Sequence, residues 1–567
     1  FIGAMMQKYE IVVGNPPYLH NRKMGENLRS RLNKKYELTK TDLYSAFIEK
    51  SFILNRRNGY TGLLTPDTYL NLWAYSSLRN LIIDSFNLKI FIHLGKVFNN
   101  VVVSLGISIF YNSNEIVESL FIDVTSIDNK KSAIYNDDIN KYISKVNLKM
   151  FKKIGNSQFI YFVPNEILDT LINDNKLVPE YALCKPGIKT ADNYRFVYMY
   201  WEVKRKSEIW KPYLKGGSEE YFNDVNYLID WSSEAKSFYK ENKNSRIREA
   251  DFRFKEGITY SVIGGKNFSA RFMKSDSLYD VVSPAIFPKS TSIKYLLGFL
   301  NSKLCKCLLW ALNPTISFTM NDIENIPFKV IKDSQIVEDL VNFIMLNKML
   351  IYSKKVNSYI FQNYFDAEVL IDKKYLLKNY LETIFIEECS YIIDEIFLHE
   401  YGYNLQTIDF IKSNFGRSIV SLPIIKNYYY NSDYYNITKC KNLDRILSEN
   451  ETIEGIIKSC ERAINYIINY YSSKTDFEAF KSLKPSFVDY TEDEIMEIVN
   501  KIRSLCAKKG PTIISISEEV KIHPRSVLAI MEKYNLVIEE DLKETVKRYL
   551  QTLARKAFDE DKDGIVL

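Results

Sequence analysis

Histidine and clustered cysteine are scarce in this chain, which narrows the chemistry that it can perform. Its 567 residues include four histidines and seven cysteines, and no two cysteines form a C-x-x-C pair. Zinc sites and Ser–His–Asp triads depend on these residues, so we expect neither kind of site and no bound metal. An odd number of dispersed cysteines is typical of reduced thiols in the cytoplasm rather than of a disulfide framework.

A secretory signal and a long apolar segment are also missing from the sequence. The longest apolar run, 295–312, predicts a helix by its leucine spacing, but Asn301, Lys303 and Lys306 interrupt it. We therefore expect no membrane-spanning helix. Apolar residues make up 46% and charged residues 26% of the chain. This is the balance of a soluble globular protein, and the length indicates about four domains. The net charge of +6 is compatible with a nucleic-acid partner but does not demonstrate one.

Strands and helices alternate in the first part of the chain. A short apolar run at 10–13 predicts a buried parallel strand, and Thr41 is placed to cap a helix over 42–55. The pattern further predicts a turn at Asn58-Gly59, strands at 60–64, 88–93 and 101–111, and a helix at 76–86. Helices between strands indicate an α/β fold with a partial doubly wound, Rossmann-like sheet. The glycine-rich turn that would hold a nucleotide-like cofactor after a first strand is absent.

The segment Asn15-Pro16-Pro17-Tyr18 follows the first predicted strand directly, at the position where open α/β sheets bind ligands. Both prolines fix φ and remove backbone N–H donors, so the turn presents the Asn15 amide and carbonyl oxygens as acceptors. Acceptors in a rigid cleft suit the exocyclic amine of a planar ring. Tyr18 offers an aromatic face on which that ring can stack. These four residues are therefore the candidate catalytic residues.

The chemistry that this segment favours is methylation of an aryl amine. Such an amine is a poor nucleophile because its lone pair is delocalised into the ring. Hydrogen bonds from its two hydrogens to Asn15 and to the Pro16 carbonyl favour a pyramidal nitrogen, whose lone pair can attack a methyl sulfonium in line. A base inside duplex DNA reaches such a cleft only when it is flipped out of the helix.

Residues 13–18 resemble the amino-methyltransferase signature of S-adenosylmethionine-dependent enzymes. Release-factor glutamine methyltransferases and some RNA methyltransferases carry it too, so the signature alone leaves the acceptor open. Three further features favour DNA adenine. The order of 41–44, 58–59 and 63–66 is similar to that in type IIG and BREX PglX-like adenine methyltransferases. Residues 98–104 resemble their later motif, and a long region follows.

The resemblance implies roles for further residues and for a cofactor. In the later motif an aromatic residue covers the other face of the flipped base, and Phe98 is the matching position; a buried loop phenylalanine is the alternative. S-adenosylmethionine is the implied cofactor. Because the candidate catalytic turn comes so soon after Phe1, we expect most of the cofactor site in upstream sequence or in a separate chain.

The resemblance also divides the chain into functional segments. Residues 1–125 would form the second half of a methyltransferase catalytic domain, and 150–330 a mixed α/β target-recognition domain. Residues 331–480 would form a helical spacer, 481–545 a helix-turn-helix-like region and 546–567 the start of a truncated segment. The C-terminal region is thus expected to be mostly helical, and a plain helical hairpin is the alternative for 481–545.

Several basic residues are candidate contacts to double-stranded DNA. They lie in the loop after the catalytic turn, in the middle region and in the helix-turn-helix-like region, and a solvated surface is the alternative for each. The candidates are Arg22, Lys23, Arg29, Arg31, Lys189, Lys215, Lys266 and Arg525.

The sequence as a whole favours a cytoplasmic, site-specific DNA methyltransferase. It would transfer a methyl group from S-adenosylmethionine to adenine N6 in duplex DNA by base flipping, in restriction-modification or phage defence. One alternative is a DNA-binding specificity module that is inactive alone and needs a separate cofactor-binding chain. Another is a protein or RNA methyltransferase.

Overall fold

The computed structural model describes most of the chain and divides it into two compact units. The described residues are 7–97, 103–113, 118–135, 137–203, 208–247, 250–353, 355, 358–360, 373–416, 443–473, 492–506, 516, 519–520, 530–531 and 536. Unit 1 comprises Phe1–Leu177 and Cys307–Lys329, and unit 2 comprises Val178–Lys306 and Val330–Leu567.

Unit 1 is built on one six-stranded sheet with helices between its strands. The strands are β1 (Tyr9–Gly14), β2 (Asn55–Pro66), β3 (Leu88–Gly95), β4 (Leu105–Tyr111), β5 (Ser119–Asp123) and β6 (Ile143–Val146). The helices are α1 (Glu26–Lys35), α2 (Leu43–Leu54), α3 (Ser76–Ser85), α4 (Lys130–Tyr135) and α5 (Asn165–Asn173).

The sheet of unit 1 has the order β1-β2-β4-β3-β5-β6 and is mixed rather than purely parallel. Strand β1 runs parallel to β2 and β3 runs parallel to β5, whereas β4 is antiparallel to both of its neighbours. Strands β2 and β3 therefore point the same way, so the carboxyl ends of β1, β2, β3 and β5 lie along one edge of the sheet. The α/β prediction for this region is confirmed.

The Asn58-Gly59 turn predicted from the sequence lies inside the long strand β2 instead. Asn58 adopts a positive φ of 61°, and the pairing of β1 with β2 shifts register between Tyr9 and Ile11. The dipeptide thus produces a local irregularity within a continuous strand, and it does not form a turn that precedes the strand.

The core of unit 1 consists of aromatic side chains packed on the sheet. Phe91, Phe110 and Phe121 are fully buried. A Cβ atom on Gly106 would overlap the ring of Phe91, so β4 needs a glycine where this ring crosses it. Burial alternates along β4 because successive side chains point to opposite faces of the sheet.

Unit 2 contains two four-stranded sheets with the orders β13-β9-β10-β8 and β12-β11-β14-β7. The strands are β7 (Ala182–Lys185), β8 (Val197–Met199), β9 (Trp210–Leu214), β10 (Tyr227–Asp230), β11 (Gly257–Tyr260), β12 (Ala270–Met273), β13 (Leu278–Tyr279) and β14 (Ala285–Pro288). The helices between these strands and directly after β14 are α6 (Asn193–Phe196), α7 (Ser233–Glu241) and α8 (Ile293–Asn301).

The rest of the described chain is helical, as predicted. The helices are α9 (Lys303–Leu312), α10 (Met320–Glu324), α11 (Ser334–Ser353), α12 (Lys373–Glu400), α13 (Leu405–Phe415), α14 (Ile453–Ser473) and α15 (Glu492–Cys506). Helix α11 is largely buried, and its Asp339 accepts hydrogen bonds at 2.7 and 2.6 Å from Arg462 of α14. No helix in the described ranges is long and apolar enough to cross a membrane.

Two sequence-based expectations for the later elements need comment. The prediction of a single helix over 295–312 is wrong, because the extended backbone of Ser302 separates α8 from α9. In the helix-turn-helix-like region, Ile516, Ile530 and Met531 are buried with residues of α15. Most of that region, and all of 546–567, lie outside the described residues.

Candidate functional site

The segment Asn15–Tyr18 leaves the carboxyl end of β1, where Gly14 pairs with Leu63 of β2. Asn15 and Pro17 are exposed, Pro16 is buried and Tyr18 is half-buried. The Tyr18 hydroxyl donates to Asn15 Oδ1 at 3.0 Å, and the Leu64 carbonyl lies 3.3 Å away as an alternative acceptor. Burial raises the pKa of Tyr18, so the hydroxyl stays protonated and remains a donor. The amide of Asn15 is thereby oriented while its edge faces solvent.

The Tyr18 ring packs against a second tyrosine, which in turn packs against a third. Tyr44 of α2 meets Tyr18 edge-on, with ring centroids 6.2 Å apart, and packs against Tyr75 at 5.6 Å. Tyr44 is only 1% exposed, and its hydroxyl lies 3.1 Å from that of Thr68. Burial raises the pKa values of Tyr44 and Tyr75. The aromatic wall behind the candidate site is therefore neutral and fixed.

Asp42, and not Thr41, caps helix α2. Its carboxylate accepts from the Tyr44 N–H at 3.3 Å, and its own N–H donates to Ser45 Oγ at 3.2 Å, forming a capping box. The same carboxylate accepts from the Leu19 N–H at 3.0 Å. The cap prediction for Thr41 fails because only Asp42 can serve both the helix and the segment that follows Tyr18. Burial raises the pKa of Asp42, and these backbone hydrogen bonds partly offset that effect.

A histidine cluster, which the sequence did not single out, lies at the same edge of the sheet. It consists of Asp67, His93, Asp123 and Tyr161. His93 Nε2 lies 2.7 Å from Asp67 Oδ2, and His93 Nδ1 lies 2.6 Å from the Tyr161 hydroxyl. Asp123 Oδ2 lies 4.0 Å from Nδ1. Asp67 follows β2, while His93 and Asp123 come at the ends of β3 and β5. The signal in the sequence that could have predicted this cluster is the position of these three residues at strand ends.

The protonation pattern of the histidine cluster follows from its burial. Desolvation, reinforced by Asp123 and Asp67, raises the pKa of Tyr161, which therefore stays protonated. With the Tyr161 O–H donating to His93 Nδ1, the hydrogen on Nε2 is directed at Asp67; this arrangement is assigned from the hydrogen-bond network. Asp67 directly precedes Thr68, so the cluster anchors the loop on which Tyr44 rests.

The basic segment after the candidate catalytic turn forms a short 3-10 turn and helix α1. Arg22, Lys23 and Arg31 are exposed, as expected for contacts to a phosphate backbone. Arg29 is exposed too, but its guanidinium donates to the Met24 carbonyl at 2.9 Å and so helps to shape the loop.

The middle-region segments that carry the candidate lysines are joined by hydrogen bonds within unit 2. The Val281 N–H donates to the Ile188 carbonyl, and the Val262 N–H to the Val282 carbonyl, each at 3.2 Å. The Gly217 N–H donates to Ser261 Oγ at 2.8 Å.

These lysines differ in how their charge is used. Lys189 and Lys266 are exposed, and Lys266 Nζ lies 3.4 Å from Asn414 Oδ1. Lys215 is half-buried with its ammonium 4.9 Å from the centre of the Tyr227 ring. Its charge is thus partly satisfied within the protein. Two further candidates, Phe98 and Arg525, lie outside the described residues.

The residues at the candidate site do not form a complete pocket for S-adenosylmethionine. Strand β1 lies at one end of the sheet, and the side chains of Ile11 and Val13 are 67% and 79% exposed. No glycine-rich turn connects a strand to a helix in the described part of unit 1. Within the described residues, the site therefore presents the Asn15 amide without the cradle that would hold the cofactor.

Comparison with known proteins relates the site to a methylase family. Residues 2–98 match the family model of the Eco57I restriction-modification methylase. The chain is 25% identical over 368 residues to the adenine-specific methyltransferase PglX of Lacticaseibacillus casei (strain Zhang), covering 59% of this chain and 30% of PglX. It is 26% identical over 361 residues to the adenine-specific methyltransferase BrxX of Escherichia coli O9:H4 (strain HS), covering 59% and 29%.

The chain spans about 30% of the length of these curated relatives. Among solved structures it is similar to the Type IIL restriction-modification enzyme MmeI in complex with DNA. That similarity has a TM-score of 0.44 at 12% sequence identity, and it covers 71% of this chain and 56% of MmeI. The family-model match over residues 2–98 includes Asn15–Tyr18, so this segment is similar to restriction-modification methylases.

Proposed function

We propose that this chain is the amine-binding and DNA-binding part of a methyltransferase that modifies adenine N6 in duplex DNA, in restriction-modification or phage defence. The observation that carries the proposal is the exposed Asn15 amide at the carboxyl end of β1, held by the hydroxyl of Tyr18. The relation of residues 2–98 to a restriction-modification methylase supports it.

The groups around Asn15 suit an amine that donates two hydrogen bonds. Asn15 Oδ1 accepts one bond from Tyr18 and has a second lone pair for an incoming N–H. The Pro16 carbonyl is the second proposed acceptor, and neither Pro16 nor Pro17 has an N–H that could compete. With both hydrogens bound in this way, the amine nitrogen is held pyramidal. The half-exposed Tyr18 ring receives the base by stacking.

Adenine reaches this site only when it leaves the DNA helix. The exposed Arg22, Lys23 and Arg31 beside the site are the proposed contacts to the phosphates near the extruded base. In unit 2, Lys189 and Lys266 are the proposed phosphate contacts of the recognition surface. Phosphate contacts set the orientation of the protein on DNA rather than its sequence preference.

S-adenosylmethionine is the proposed donor and supplies the methyl group when bound. Because the described residues form no complete pocket for it, most of its contacts are expected outside them or in a separate chain. The exposed face of β1, with Ile11 and Val13, favours a second candidate function for the isolated chain. That candidate is a DNA-binding specificity module that gains activity only with a cofactor-binding partner.

Calorimetry separates the two candidates. Heat on addition of S-adenosylmethionine to the purified chain supports the methyltransferase, with the cofactor site completed by this chain's own residues outside the described ranges. No heat supports the specificity module, whose cofactor site lies in a partner. The shared proposal is tested in the source cell by deleting the gene and mapping N6-methyladenine by sequencing. We expect methylation to vanish at one recurrent DNA motif. Unchanged adenine methylation, or loss of methyl groups from RNA or protein alone, contradicts the proposal.

A further inference from the structure

Trp73 exposes its indole close to the candidate active site. The side chain is 69% exposed, whereas Trp201, Trp210, Trp231 and Trp310 are half-buried. A single exposed apolar side chain is common on protein surfaces and is no site in itself. For Trp73, its rigid support and its neighbours provide two further observations.

The loop that carries Trp73 is held by a buried arginine. Arg79 is fully buried, and its guanidinium donates to the carbonyls of Tyr69 at 2.7 Å and Leu72 at 2.8 Å. It also donates to the Asn156 carbonyl at 3.0 and 2.7 Å. Desolvation lowers the pKa of Arg79 to about 10, so the charge stays on the side chain at neutral pH. A buried cation with carbonyl partners fixes the loop directly before Trp73.

The same loop adjoins the segment that follows Tyr18. The Thr41 hydroxyl donates to the Ala74 carbonyl at 3.0 Å, and the Thr41 carbonyl accepts from the Asn21 N–H at 3.1 Å. Tyr75 packs against Tyr44, which packs against Tyr18. Trp73 thus directly precedes Ala74, which hydrogen-bonds to Thr41, and Thr41 in turn holds Asn21, the residue before Arg22.

We propose that Trp73 stacks on a base of the bound DNA next to the extruded adenine. The inference rests on the proposed function, because it takes DNA as the ligand of this surface. Its support is the combination of an exposed flat apolar side chain on a fixed loop with the exposed positive charges of Arg22 and Lys23, whose segment is joined to that loop through Thr41. A polyanion with aromatic rings matches both features, whereas a purely apolar protein segment matches only the first.

The test measures DNA binding and tryptophan fluorescence of the full chain. The probe is a short mixed-sequence duplex with one unpaired adenine, which removes the need to break a base pair. Trp73→Ala is expected to weaken binding roughly 5- to 100-fold, the range for loss of one base–aromatic stack. Trp73→Phe retains a ring and is expected to bind within about threefold of the wild type.

Fluorescence quenching and salt dependence distinguish a direct DNA contact of Trp73 from a role of Trp73 in folding alone. DNA should quench the wild-type fluorescence, and Trp73→Phe should remove most of this quenching. The matched control Trp310→Phe, which replaces an indole packed on Phe162, should leave the quenching in place. Trp73→Ala should leave the salt slope of binding unchanged, since it removes no charge, whereas Lys23→Ala should reduce the slope by about one.

Several outcomes overturn the inference. Wild-type affinity in Trp73→Ala, or quenching that survives Trp73→Phe, shows that the indole does not touch DNA. Weaker binding that Trp73→Phe fails to restore, together with a lower melting temperature, assigns Trp73 to folding or to a protein contact. If the chain binds no DNA, the inference and the proposed DNA contact fail together. If binding depends on Trp73 but the source genome shows no adenine methylation, only the methyl-transfer proposal fails.

Discussion

The hydroxyl of Tyr18 donates a hydrogen bond to the side-chain oxygen of Asn15 at 3.0 Å. Under the proposed function this tyrosine would perform two tasks: its ring would receive the base, and its hydroxyl would orient the amide that binds the amine. The two tasks can be separated by mutation because phenylalanine preserves only the ring.

Replacing Tyr18 should therefore reveal two distinct losses. Tyr18→Phe removes one hydrogen bond, worth about 0.5–1.5 kcal/mol, and should lower the methylation rate about 2- to 15-fold. Tyr18→Ala also removes the stacking face, about 1–3 kcal/mol more, and should lower it further. The rates can be followed as re-methylation of sites in cells that carry each variant at the chromosomal locus. Equal rates for Tyr18→Phe and Tyr18→Ala would show that the ring has no role.

Two substitutions of Asp42 should separate the effect of its hydrogen bonds on stability from the effect of its charge. Asp42→Ala loses the cap of α2 and the hydrogen bond to Leu19, and we expect it to lower the free energy of unfolding by about 0.5–2 kcal/mol. Asp42→Asn keeps both acceptor roles without a buried charge. It should match or exceed the wild type at neutral pH, as measured by urea denaturation.

The pH dependence of this difference follows from the raised pKa of Asp42. Its ordinary value is 3.8, and the folded state raises it. The folded state therefore binds the proton more tightly than the unfolded state, and stability from this group is present below 3.8 and is lost as the pH rises through the folded pKa. The gain of Asp42→Asn over the wild type should disappear on acidification. A gain that grows towards acid pH would contradict the sign.

His93 and Tyr161 should be coupled energetically. His93→Ala leaves the buried Tyr161 hydroxyl without its acceptor, which should cost about 1–3 kcal/mol of unfolding free energy. Tyr161→Phe removes that hydroxyl, so the double variant should be less unstable than the sum of the single ones. A double-mutant cycle in urea measures the coupling, expected at about 0.5–3 kcal/mol. Strict additivity would mean that the 2.6 Å contact contributes nothing to stability.

The basic residues beside the site should affect the salt dependence of DNA binding. Arg22→Ala and Lys23→Ala should each reduce the slope of log K against log salt by about one, because each removes one phosphate contact. Lys145→Ala is the matched control, since this exposed lysine lies on β6 at the other end of the sheet. Titrations at several salt concentrations provide the slopes. A slope that changes only in Lys145→Ala would place the DNA elsewhere.

The elements that sequence reasoning predicted well are those set by local patterns. The strand at 10–13 and the helix at 42–55 correspond to β1 and α2 within a residue or two. Apolar periodicity decides α2 because burial of one face stabilises it. The burial predicted for the strand at 10–13 is wrong, because β1 is an edge strand whose Ile11 and Val13 are exposed. The placement of Asn15 at a strand end depends on the first of these elements and is confirmed. The roles of Asn15 and Tyr18 in binding a base stay predictions.

The errors come from contacts between residues far apart in sequence. Asp42 replaces Thr41 as the cap because it also binds Leu19, which lies 23 positions earlier. The helix expected over 295–312 breaks at Ser302, next to an Asn301 side chain that pairs with the backbone of Ala270 at 2.9 and 3.0 Å. The histidine cluster forms only when three strand ends meet. None of these contacts leaves a periodic signal in the sequence.

The most direct test of the account is the Asn15→Ala variant, introduced at the chromosomal locus and assayed for N6-methyladenine, with DNA affinity measured on the purified chain. Asn173→Ala, an exposed asparagine at the end of α5, serves as the matched control. The account predicts that Asn15→Ala abolishes methylation at the recurrent motif and leaves DNA affinity largely intact, while Asn173→Ala changes neither. Methylation that persists in Asn15→Ala would contradict the role assigned to this residue.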